Sequence, residues 1–149
     1  MVPARIPAVS IFGDQHSLPG GLVHPGEDTA TALARELREE LGLDTAALPD
    51  PPRLRRVQDQ LTTRPGRDGV FHRLHLVHVL RVPLTVRQDL ASVEIDAEDR
   101  TEVAWTDVVR AAGLHLYPDV GQALATSSGP DADAAVLLPP MTDLTCRWR

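Results

Sequence analysis

Apolar and polar positions along this chain alternate in short blocks separated by turn residues, and the longest stretch at helical period starts near residue 29. Residues 6–12 form a short apolar run that reads as a strand, followed by a loop at 13–19. From 29 to 41, Ala30, Ala34, Leu37 and Leu41 recur at helical spacing and predict one apolar stripe. Asp28 or Thr29 can cap the start of that helix by accepting amide protons of its first turn. Gly42 supplies the stop, where glycine takes a left-handed conformation cheaply. A Pro-rich connection at 45–53 leads to a strand at 54–63, a turn at 64–69 and a Val-, Leu- and His-rich strand at 71–83. An acidic loop at 92–100 precedes a short strand at 101–105. Short helices are expected at 107–112, capped by Thr106, and at 120–125. Strands interleaved with helices predict an α/β domain. Its bounds are set at 1–126, with a Ser/Gly/Pro/Asp linker and a tail at 127–149 that carries Trp148 and is expected to dock on the same domain.

The segment around the helix carries the chemistry. Gly21 is followed by five residues, Glu27 and seven more, then Arg35-Glu36-Leu37-Arg38-Glu39-Glu40-Leu41-Gly42-Leu43. This resembles the Nudix box of the Nudix hydrolases. Gly21, Glu27, Arg35, Glu36, Glu39, Glu40 and Gly42 stand at its fixed positions, and Leu37 and Leu43 at its aliphatic ones. From ordinary amino-acid usage, a chance match of seven fixed residues is on the order of 10⁻⁷ per chain. The resemblance covers roughly residues 10–125. It implies the Nudix fold, a mixed β-sheet sandwiched between helices, and hydrolysis of a phosphoric anhydride in a nucleoside diphosphate linked to another group.

Spacing alone explains much of the box. Glu36 precedes Glu39 and Glu40 by three and four residues, so the carboxylates crowd one helix surface. Like charges so placed call for a counter-charge. Mg²⁺, or Mn²⁺, suits hard oxygen ligands and is readily shared with substrate phosphates. Leu18-Pro19-Gly20-Gly21 forms a loop whose backbone can approach a metal or phosphate closely. By resemblance, the Gly20 carbonyl joins Glu36, Glu39 and Glu40 as a metal ligand, and Glu36 or Glu39 serves as the base. The resemblance also makes Arg35 an orienting residue, tied to carboxylates such as Glu27 and Glu39. A further acidic ligand or base is expected in the loop before Trp105, with Glu98 and Asp99 nearest the position and Glu94, Asp96 and Glu102 as neighbours.

Composition narrows the partners. The chain has 149 residues, net charge −6, and arginine for all 15 of its basic residues. An acidic chain is a poor partner for long nucleic acid, which needs a basic footprint. It has no apolar run of membrane-spanning length and no signal-like N-terminal stretch. The single Cys146 cannot form an intrachain disulfide, so a reducing, cytoplasmic setting is expected. His72 and His78 share one strand face while His75 points to the other, which is poor geometry for zinc. Phe71, Trp105 and Tyr117 are the available base-stacking platforms, and Arg73 and Arg81 could reach phosphates.

The chain departs from the family pattern ahead of the box, where about twenty residues leave room for one strand instead of two. The tail, with residues 144–148 alternating as a strand could, or a second subunit in a homodimer, is expected to make up the difference. No feature assigns the substrate, and a MutT-type action on nucleoside triphosphates is the default. The other class of reading is a non-catalytic module that binds a nucleotide and regulates a partner.

Overall fold

The computed structural model describes residues 5–12, 14–92, 101–126 and 136–145. Strands β1 (Arg5–Phe12) and β2 (Gln15–Ser17) lead to helix α1 (Thr29–Leu41). A 3₁₀ turn at Thr45–Ala47 then precedes a long hairpin of β3 (Arg53–Arg64) and β4 (Arg67–Val79). Helix α2 (Leu84–Gln88), β5 (Val103–Asp107), a 3₁₀ turn at Val108–Gly113, β6 (His115–Tyr117), α3 (Gly121–Ala125) and β7 (Val136–Thr142) complete the order. The mixed α/β class holds, but the strands divide between two sheets, ordered β5-β1-β2-β6 and β4-β3-β7. Each sheet is mixed: β2 runs parallel to β6 and β3 parallel to β7, while the other pairings are antiparallel.

Helix α1 occupies the residues its spacing predicts. Asp28 Oδ1 accepts the Thr31 amide at 2.7 Å, so Asp28 is the cap. Gly42 stands at φ 69°, and the amides of Gly42 and Leu43 return to the Arg38 and Leu37 carbonyls. The buried positions match the expected stripe in part. Leu37 and Leu41 are buried as foreseen, whereas Ala30 is exposed; Ala32, on the opposite side of the helix, is buried. Leu37, Leu41 and Leu43 pack with Val103 of β5 and with Leu33, Leu48, Leu80, Val82, Val86 and Leu90. This core fastens the helix by its apolar side and leaves its acidic side outward. A second core gathers Ile6, Val77, Ala111, Leu116, Val120 and Leu124 between the two sheets.

Several boundaries differ from the sequence reading. The loop at 13–19 contains β2, whose three residues are too few to show a period. Two strands therefore precede the box, not one. Strand β4 ends at Val79, and Leu84–Gln88, following Pro83, turns into a helix that the apolar run had concealed. The helix expected at 107–112 is a 3₁₀ turn preceded by Asp107, with no side-chain cap, and Thr106 lies within β5.

Among the described tail residues, the segment that pairs is 136–142, as β7 against β3. Leu144 and Thr145 lie in a turn; Cys146 and Trp148 lie outside the described residues. Met141, paired with Gln60, is fully buried. Truncation after Ser128 would open the β3 edge and delete that side chain. It should cost at least about 2 kcal/mol, the low end for losing a buried methionine. A thermal melt with a hydrophobic dye checks this; an unchanged melt would make β7 a passive extension.

Candidate active site

Strand β2 delivers the chain into the loop of the site. The Leu18 amide bonds the Tyr117 carbonyl at 3.1 Å, fixing the loop's start against β6. Two residues on, the Gly20 amide donates to Glu40 Oε2 at 2.9 Å. Gly20 sits at φ 140°, a conformation that side chains resist. Gly21 is required for a different reason: a Cβ there would overlap the Glu36 carboxylate, which lies directly against the glycine backbone. Loop and helix are thus joined by two carboxylates from consecutive turns of α1.

Arg35 organises the rest. Its Nε and Nη2 grip the two oxygens of Glu27 at 3.3 and 2.8 Å. Its Nη1 donates to Glu36 Oε1 at 2.6 Å and to Glu39 Oε2 at 3.2 Å. Nη2 also donates to the Leu22 carbonyl at 3.0 Å. One planar fork therefore ties three glutamates to the loop backbone, a task suited to guanidinium geometry. Glu27 further accepts the His24 amide at 2.7 Å, closing the loop on itself. Hydrogen bonding by Arg35, then by the His24 amide, holds the Glu27 carboxyl down to about 2. The same carboxylates raise the Arg35 guanidinium further above its ordinary value.

The counter-charge that the spacing calls for is thus supplied in part by Arg35. Glu36 and Glu40 are half-buried, and Glu39 is exposed. Glu98 and Asp99 lie outside the described residues, as do Glu94 and Asp96; Glu102 is exposed just before β5. The histidines go to separate partners. His72 pairs with Asp59 at 2.7 Å, while His75 Nε2 meets Gln60 Oε1 at 2.7 Å. Burial, with the nearby Arg73 charge adding to it, pushes His75 down to about 4, and burial also lowers His78.

Two features escaped the sequence reading. One is the spatial demand at Gly21, which no local rule announces. The other is a polar network beside the loop: Gln60 Oε1 receives both His75 and the Tyr117 hydroxyl, the latter at 2.8 Å, and Gln60 Nε2 donates to Thr62. Gln60 and Thr62 are buried. Their alternation along β3 was visible, but alternating polar residues read as a solvent face. Tyr117, considered as a stacking platform, is committed through its hydroxyl to this network.

Such a loop–helix–loop, built on two sheets, defines the class. The NUDIX domain family model matches residues 6–124, and the chain belongs to that family. Among curated proteins it is 30% identical over 97 residues to a nucleoside triphosphatase, NudI, of Enterobacter sp. (strain 638). That match covers 64% of this chain and 63% of the relative's length. Among solved structures it resembles a mutator MutT protein from Bacillus halodurans, with TM-score 0.62 and 12% identity. That likeness spans 95% of this chain and 84% of the other, and it bears on the fold alone.

Gly21→Ala should leave the fold standing and damage the site. The added methyl must push the Glu36 carboxylate away, and a misplacement of about 1 Å in a catalytic group can cost roughly 100-fold in rate. Kinetics beside a thermal melt would test this. Unchanged turnover with an unchanged melt would show that Glu36 has no fixed place.

Proposed function

We propose that the protein is an Mg²⁺-dependent pyrophosphohydrolase acting on a nucleoside diphosphate linked to another group, with nucleoside triphosphates as the first candidates. One observation carries this reading: Glu36 and Glu40 are seated on the Gly20–Gly21 backbone while Arg35 ties Glu27, Glu36 and Glu39 together. An acidic helix that merely faced water would have no need of a glycine cradle for one of its carboxylates. The relative named a nucleoside triphosphatase supports the substrate class.

By donor chemistry the set suits a hard divalent cation, although among the described residues no three such side chains stand converged on one point, Arg35 being tied among the glutamates. Carboxylate oxygens of Glu36, Glu39 and Glu40, with the Gly20 carbonyl, are the groups that would hold Mg²⁺ or Mn²⁺. Glu98 and Asp99 are further candidate ligands. When bound, the ion neutralises diphosphate oxygens and acidifies a water. The chain's own residues do the rest. Glu36 or Glu39 takes the proton of the attacking water. The water oxygen bonds to phosphorus as the bridging P–O bond breaks, and the leaving phosphate carries away the electron pair. Arg35 positions the glutamates and does not itself meet the reacting atoms. Holding the nucleophile in line supplies much of the rate.

The deciding experiment is a panel of nucleoside triphosphates, 8-oxo-dGTP, ADP-ribose, NADH and diadenosine tetraphosphate, with released phosphate and pyrophosphate quantified. Turnover should require Mg²⁺ or Mn²⁺ and survive a zinc-selective chelator, since oxygen donors select hard cations. Tight binding of a nucleotide with no turnover under any divalent ion would instead favour a regulatory binding module.

A further inference from the structure

The β3–β4 hairpin is charged against the grain of the chain. Between Arg53 and Val79 six arginines face two aspartates, in a protein of net charge −6. Three of those arginines collect at the turn end. The Arg64 guanidinium lies 3.8 Å from the Phe71 ring centroid and that of Arg73 lies 4.2 Å from it. Phe71 and Arg73 share a strand face, and Arg64 stands one step nearer the turn, so the ring is flanked from both directions along the hairpin. Cation–π contact holds the planes in place without neutralising the Arg73 charge. Arg64 and Arg67 are directly opposite each other in the ladder, an arrangement that repels. Among the described residues neither Arg67 nor Arg73 has a carboxylate within ion-pair range, unlike Arg5, Arg35 and Arg38. Arg64, Arg67, Asp68, Gly69, Val70 and Phe71 line a cavity of about 170 Å³ at this end.

The same strand face leads back toward the glutamates. His75 is two residues from Arg73, about 7 Å along the strand. It packs edge-on against Tyr117 at 5.1 Å between centroids, and the Tyr117 carbonyl holds Leu18 at the head of the Gly20–Gly21 loop. A positive, rigidified end and a negative, metal-seeking end thus sit on one continuous path.

We propose that the Arg64–Phe71–Arg73 stack, with Arg67, is a second anion site that binds a phosphate group. On the hydrolase reading it would take the phosphates of an elongated substrate farthest from the glutamates; its affinity for phosphate does not depend on that reading. Asp68 on the cavity wall leaves an acceptor for a hydroxyl on the group that carries the phosphate.

Calorimetric titration with inorganic tripolyphosphate tests this, in chelator and at low salt. Without a divalent ion the glutamate cluster repels the probe, so the signal reports the arginine site and is independent of any hydrolytic activity. Wild type should bind with one site, and affinity should fall as salt rises. The Arg67→Gln/Arg73→Gln double variant should lose at least tenfold, whereas Arg110→Gln, which removes one exposed charge elsewhere, should stay within twofold. If Arg73→Gln lowers the melting temperature, exposed Arg67→Gln alone decides, with an expected loss of about threefold. No binding by wild type up to 10 mM (about the weakest useful limit), or equal losses in the Arg67 and Arg110 variants, would overturn the proposal.

Discussion

Glu40→Gln and Glu36→Gln should each abolish measurable hydrolysis while the protein folds as before. The loss follows from charge: a metal-assisted reaction draws several kcal/mol of transition-state stabilisation from the ion, which is about a thousandfold or more in rate. The retained fold follows from geometry. In Glu40→Gln the new side-chain amide oxygen can still accept the Gly20 amide now bonded to Glu40 Oε2, so the loop stays anchored. At position 36, Arg35 keeps Glu27, Glu39 and the Leu22 carbonyl as partners. Removing one negative charge from the helix face also relieves like-charge repulsion of a few tenths of a kcal/mol. Rates at saturating Mg²⁺ should therefore collapse without a fall in the metal-free melting temperature. A Glu40→Gln enzyme that still turned over would remove Glu40 from the metal set.

The helix was legible because its rules are local. A cap at Asp28, a left-handed glycine at Gly42 and an apolar stripe through Leu37 and Leu41 need no knowledge of the rest of the chain. Which alanine the packing covers was not local. Ala30 and Ala32 have the same propensity and lie on opposite sides of the helix, so only tertiary packing decides which is covered; the partners of Leu37 and Leu41 come largely from α2 and β5. Those partners were themselves hidden. The apolar run after Val79 continues into Leu80 and Val82, so the switch from strand to helix at Pro83 leaves no break in hydrophobicity.

Sheet membership was hidden for a related reason. β2 pairs antiparallel with the adjacent β1, but its three residues are too few to show a period, and its parallel partner β6 lies a hundred residues away; β7 likewise pairs in parallel with the distant β3. Parallel pairing between such distant segments has no hairpin signal to announce it. The candidate site divides in the same way. Spacing gathers Glu36, Glu39 and Glu40 on one surface, whereas the Glu36–Gly21 contact and the fork from Arg35 back to Leu22 depend on how the loop returns to the helix.

Arg35→Ala is the second large effect, and it separates positioning from ligation. Arg35 is three-quarters buried, with 23% of its side chain exposed, and it serves Glu27, Glu36 and Glu39 at once. Its loss leaves three carboxylates facing one another and frees the Leu22 carbonyl. Outer-shell partners of this kind typically carry roughly 10- to 100-fold in metal affinity or activity, so both quantities should fall. Arg35→Lys should recover little, because a single ammonium cannot grip Glu27 through two nitrogens and still reach Glu36, Glu39 and the Leu22 carbonyl. The stability profile should change as well. Glu27 titrates near 2 in the folded protein against an ordinary value of 4.5, so it contributes stability above about 4.5 that is lost as pH falls toward 2. Since hydrogen bonding to Arg35 is the foremost cause of that shift, Arg35→Ala should flatten this acid limb relative to wild type. Melting temperatures from pH 7 down to 2.5, set beside Mn²⁺ titrations, give both readouts. A variant with wild-type metal affinity and an unchanged acid limb would show that the three glutamates hold their places without Arg35.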